Sequence, residues 1–170
     1  MTAPLAALAL AALNGAQPAL QTLPMLQVQA NDVASAPRLY VAFCRANARP
    51  EYTVDCLSGR IDVAAAALGS YGDTAELYRA LKRASSDLAA ISCKYAFPAM
   101  PPVVLRSAAL TTTRPIRPVA PENLAPANAA AVLDEAELTL VRSSTRAPDG
   151  PAFQQVAEVI GSAKVLLRAS

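Results

Sequence analysis

Apolar residues recur at intervals of three and four along most of the chain, the spacing that lines one face of an α-helix. Leu39, Tyr40, Phe43 and Cys44 predict a first helix near 37–46, with Pro37 in its opening turn and Pro50 preventing its continuation. Cys56, Leu57, Ile61, Ala64, Ala65 and Leu68 predict a second near 52–68, with Asp55, Arg60 and Asp62 off that face. The run Gly69-Ser70-Tyr71-Gly72 ends it in a turn. A third helix near 73–95 carries Leu77, Tyr78, Leu81, Ala84, Leu88 and Ile91 on one side and Arg79, Lys82, Arg83 and Asp87 on the other. Asp73 followed by Glu76 has the spacing of a capping box at its start. Residues Ser35 to Ala96 therefore read as one compact helical block.

The pattern breaks over 97–126, where Pro98, Pro101, Pro102, Pro115, Pro118, Pro121 and Pro126 forbid a continuous helix. Val103-Val104-Leu105 and Leu110-Thr111-Thr112-Thr113 have strand propensity, so this stretch is expected as an extended strap or a small hairpin. Helical spacing returns from Pro126 to Arg142 through Ala129, Val132, Leu133, Ala136 and Leu140, with Asp134, Glu135 and Glu137 outside. Pro151 opens a last helix through Phe153, Val156, Ala157, Ile160, Ala163 and Leu167. The expected fold is mainly α: about five helices in a bundle-like arrangement, with the Pro-rich segment between helices three and four. One helical domain spans 32–170, behind a signal-like or disordered N-terminal arm over 1–31.

Composition narrows the chemistry. Aromatic residues make up 5% of the chain and Trp is absent, so the core has to be built mainly from Leu, Val, Ile and Ala. Histidine is absent, which excludes Ser–His and Cys–His nucleophile arrangements. Cys44, Cys56 and Cys93 form no CxxC pattern and have no His partners, so no metal site is expected. Gly69 and Gly72 are explained as turn residues rather than a nucleotide clamp, and no cofactor is implied. Ser92-Cys93-Lys94 holds the residue types of a His-independent hydrolase, but adjacent helical positions do not face each other.

No charged side chain precedes Asp32, and Leu5 to Leu13 has the length and composition of a secretory h-region, followed by small residues at Asn14-Gly15-Ala16. No Lys or Arg precedes Leu5, the one departure from a signal peptide. The run is too short to span a bilayer, which takes about 20 apolar residues. Export to a periplasmic or secreted location makes Cys44 and Cys56 the natural disulfide pair across the turn at 47–50; a cytoplasmic chain would leave them as packing residues. Cys93 stays free in either case, read as a small buried hydrophobe or, beside Lys94, as a reactive thiol.

Two stretches, Glu51-Tyr52-Thr53-Val54-Asp55-Cys56-Leu57 and the C-terminal Gly161-Ser162-Ala163-Lys164-Val165-Leu166-Leu167-Arg168-Ala169-Ser170, resemble a group of uncharacterised exported helical proteins of Gram-negative bacteria. The resemblance covers most of the chain after Val33 and implies an export signal and a helical fold. It carries no activity and no catalytic residues. From Leu88 to Pro121 every charged residue is basic, which makes Arg106, Arg114 and Arg117 candidate contacts for a protein partner or an envelope surface, unless they meet acids within the fold. With no aromatic residue from Pro98 to Pro126 to stack bases, nucleic acid is not an expected partner. The sequence thus points to a non-catalytic, exported binding protein of the cell envelope. The alternative is a small-molecule carrier with an apolar groove between Ala-rich helices.

Overall fold

The computed structural model describes residues 33–69, 72–120 and 124–169, so the export-signal reading of the N-terminal arm lies outside the described residues. Five helices follow one another: α1 (Ser35–Asn47), α2 (Pro50–Leu68), α3 (Ala75–Lys94), α4 (Ala125–Ser144) and α5 (Gly150–Arg168). A single 3-10 turn, Gly72–Thr74, precedes α3. They pack around one core in which Leu57, Leu77, Leu88, Leu133, Leu140 and Phe153 are almost completely buried. The expected mainly α bundle is what the chain forms.

α1 ends where Asn47 Nδ2 donates to the Phe43 carbonyl at 2.9 Å, and Pro50 starts α2 at a position that needs no N–H. The Cys44 and Cys56 sulfurs lie 2.01 Å apart and staple the two helices. α2 departs from the amphipathic reading. Every residue from Tyr52 to Ser58 is buried, Asp55 included, and so is Arg60. Its segment carries too few polar residues to present a full wet face, and such a helix is enclosed from several sides. Here α1, α3 and the Pro-rich segment enclose it.

The seam between α2 and α3 is tight. Ser58 and Ser85 exchange hydroxyl-to-carbonyl bonds of 3.1 and 3.0 Å, and Lys82 pairs with Asp62. The start of α3 also differs from the expected capping box. Asp73 falls in the 3-10 turn, Thr74 stands at the N-cap, and Glu76 instead accepts a 2.6 Å bond from Ser143 of α4. At the other end of the chain, Lys164 of α5 reaches Asp134 and Glu137 of α4 at 2.5 and 2.7 Å. The α4–α5 corner requires glycine at 150, where a Cβ would meet the Ser144 carbonyl oxygen at 2.5 Å.

The Pro-rich segment is a folded-back strap. Antiparallel bridges join Ala96 to Val119, Val103 to Ile116 and Arg106 to Thr111. Proline removes ladder donors, so the pairing stays as isolated bridges with a changing register rather than continuous strands. Both expected forms are thus combined: a hairpin by pairing, a strap by its course over the bundle. Ile116 and Val119 enter the core with 2% and 1% exposure. The Val119 amide donates to the Glu51 carbonyl at 2.8 Å, and the Tyr52 hydroxyl donates to the Pro101 carbonyl at 2.8 Å.

Candidate functional site

What fastens the strap is a buried carboxylate. Asp55, fully buried in α2, accepts from both ends of the Arg114 guanidinium at 2.6 and 2.8 Å. The Ser92 hydroxyl donates to it at 2.8 Å and the Arg117 amide at 2.7 Å. Burial alone pushes this carboxyl up, but Arg114, the Arg117 amide and Ser92 together outweigh it and hold Asp55 below its usual range. The same bonds raise Arg114, whose charge is therefore permanent. Four charge-assisted bonds on a fully buried carboxylate make a satisfied site, not a reactive one.

This changes the standing of the three strap arginines. Arg114 finds its acid within the fold, and that acid is Asp55 rather than the later acidic cluster. Asp134 and Glu137 of that cluster pair with Lys164. Arg117 gives its amide to Asp55, while its Nη1 lies 2.9 Å from the Cys93 sulfur. Arg106 stands apart at the far end of the hairpin, opposite Thr111, and is exposed. The three do not converge on one cationic surface.

Cys93 is exposed rather than a buried packing residue. Ser92 is buried and committed to Asp55, so the two candidate nucleophiles point into different surroundings. Lys94 lies over the Tyr95 ring at 5.1 Å. No nucleophile and base meet among these three residues. Asp55 itself gave a sequence signal that the periodicity reading passed over: an acid inside a helix too apolar to have a wet side must find a partner.

The strongest candidate for binding lies between α3 and α4. These helices run antiparallel, and side-chain bonds pin the two ends of their seam: Ser143 to Glu76 at one end, Asn128 Nδ2 to the Tyr95 hydroxyl at 3.0 Å at the other. Between the pins the helices part over a groove of about 460 Å³. Ala84 and Ala136 form its floor, with Ala80, Ala131 and Val132 along its walls. Alanine creates the space, because the side chains that would fill the seam end at Cβ. The α3 wall runs from Glu76 to Asp87, about 16 Å at the helical rise of 1.5 Å per residue.

The rim is charged and unpaired. Arg79 and Arg83, one helical turn apart, and Asp87 stand on the α3 side, and Glu135 on the α4 side. None of these four makes an ion pair among the described residues, whereas the α2–α3 seam is bridged by one and the α4–α5 seam by three. Among the described residues no helix is long and apolar enough to cross a membrane. Comparisons with protein-family models, with curated protein sequences and with solved structures find no match.

Proposed function

We propose that this chain is a non-catalytic, exported binding protein of the cell envelope, and that it binds through the α3–α4 groove, the strap being a structural closure. The occupant is an amphipathic helix of a protein partner. The carrying observation is the groove itself: pinned at both ends, alanine-floored, and rimmed by unpaired Arg79, Arg83, Asp87 and Glu135 while the neighbouring seams are bridged. An alanine floor lets a partner backbone approach closely, and a length of about 16 Å matches roughly three helical turns. Charges of both signs on the rim favour one orientation, with acids of the partner against Arg79 and Arg83. The export part rests on the resemblance and the N-terminal apolar run, and the Cys44–Cys56 disulfide is compatible with an oxidising compartment.

A photo-reactive residue in place of Ala131, expressed in the host, tests this reading. The linked partner segment should read as an amphipathic helix carrying acids, and a synthetic copy of it should lose binding to Arg79→Glu/Arg83→Glu. A linked segment without helical periodicity, or binding indifferent to both reversals, contradicts the reading. A second reading, a small-molecule carrier, is favoured by the groove volume, which lies within the range of about 300–1,000 Å³ for ligand pockets. Native mass spectrometry showing a bound small mass, absent from Ala131→Trp, would favour it over a helix.

A further inference from the structure

α1 has a thin grip on the bundle. It packs on α2 and, less closely, on α5. Of its residues Pro37, Val41, Phe43 and Cys44 are buried, together with Ala34 just before it. On the α5 side a groove of about 370 Å³ parts the two helices, with Val41 and Ala42 on one wall and Val159, Val165 and Leu166 on the other. Burying so few apolar side chains gives a helix of 13 residues little hold.

What lies beneath α1 works against that hold. Arg60, in the middle of α2, is 5% exposed, and its Nε and Nη2 are buried with no hydrogen-bond partner among the described residues. Its guanidinium lies 4.3 Å from the centre of the Phe43 ring and 5.5 Å from that of Tyr40, so α1 is what covers it. Stacking on the rings favours a cation but takes up no in-plane N–H. A guanidinium keeps its proton in a protein, so the charge stays and its open donors lose their hydration whenever α1 is docked. When α1 lifts, water reaches them.

The disulfide crosses the same seam. Cys44 adjoins Phe43, and Cys56 lies one turn before Arg60. With the bond closed, Cys44 stays on α2 and α1 can open only at its N-terminal end. With the bond open, the chain ties α1 to α2 only through Ala48 and Arg49. We propose that α1 is a redox-released flap, held over Arg60 by the Cys44–Cys56 bond and undocked by its reduction while α2 to α5 stay folded. A dithiol reductant passes two electrons and two protons to the bond; Cys44 and Cys56 become thiols, and the dithiol closes to its own disulfide. Undocking hydrates Arg60 and bares Ile61, Ala64, Val159 and Ile160, which border α1. The device is independent of the α3–α4 groove, whose lining residues all belong to α3 and α4.

Hydrogen exchange of the full chain, with and without dithiothreitol, tests it. Reduction should speed exchange of the amides from Leu39 to Asn47 on the order of 100-fold, the loop-closure value for a bond of this separation, while α3, α4 and α5 keep their protection. In the reduced protein Arg60→Met, which keeps the bulk and removes the open donors, should restore α1 protection by about tenfold or more. Unchanged α1 protection on reduction overturns the proposal. So does a loss shared equally by all five helices, which makes the bond a staple of the whole domain. A reduced Arg60→Met with no gain in α1 protection, or an Arg60→Met that does not fold with the bond closed, shows that Arg60 holds α1 down rather than opposing it, and overturns the proposal as well.

Discussion

Arg114→Met should destabilise the protein more than Asp55→Asn, although both break the same ion pair. The two partners differ in burial: the Asp55 side chain is fully buried, while that of Arg114 is 41% exposed. Removing Arg114 strands an ionised carboxylate on one hydroxyl and one amide, a loss of about 3–5 kcal/mol by analogy with other broken buried pairs. Removing the carboxylate lets Arg114 turn into water, and the loss is closer to that of hydrogen bonds to a charged group, about 1.5–3 kcal/mol. The pH dependence separates the cases further. In the wild type Asp55 is held below 3.8, so its contribution is complete above that value and is lost as the pH falls through the lower, folded value. In Arg114→Met burial is left without its main opponent and raises the carboxyl. Protonation then relieves the penalty, and the gap between variant and wild type narrows on acidification. Urea unfolding followed by circular dichroism from pH 7 to 3 reads both effects. A loss smaller for Arg114→Met than for Asp55→Asn, or a gap that widens in acid, refutes the reasoning.

Other outcomes follow from single contacts. Reducing the Cys44–Cys56 bond, with a sequence separation of 12, should cost about 3 kcal/mol in the chain-entropy picture, read as a lower urea midpoint with helical circular dichroism retained. Gly150→Ala drives a Cβ toward the Ser144 carbonyl oxygen and should cost about 1–3 kcal/mol in thermal unfolding. Gly59→Ala meets open space in mid-helix and should instead stabilise by up to about 1 kcal/mol, so the two glycines are expected to respond with opposite sign. Arg106→Ser, at the exposed end of the hairpin, should change the unfolding free energy from urea titration by less than about 0.5 kcal/mol.

The helices were legible because their signals are local. Leu77, Leu81, Leu88 and Ile91 announce α3 by spacing alone, Pro50 marks where α1 has to stop, and Pro151 marks the start of α5. Cys44 and Cys56 could be paired because the turn between them is short. What the periodicity missed depends on distant partners. Asp55 and Arg60 look like polar-face residues until α1, α3 and the strap close over them. Glu76 looks like half of a capping box until Ser143 arrives from α4. The basic strap looked like a contact for a partner because nothing in its own segment announces that Arg114 reaches Asp55. The groove was legible only as a general consequence of abundant alanine: which seam would open depended on where Ala80, Ala84, Ala131 and Ala136 came to face one another.

The strap decides the account, since a strap fastened to α2 leaves the α3–α4 groove as the place for a partner. Hydrogen exchange of the Arg117, Val103, Ile116 and Val119 amides measures this without knowledge of any partner. Their acceptors are Asp55, Ile116, Val103 and Glu51 respectively. Protection comparable to that of the α2 amides is the predicted result. Complete exchange at the first time point, with the helices still protected, would show a free arm and return the binding role to its arginines.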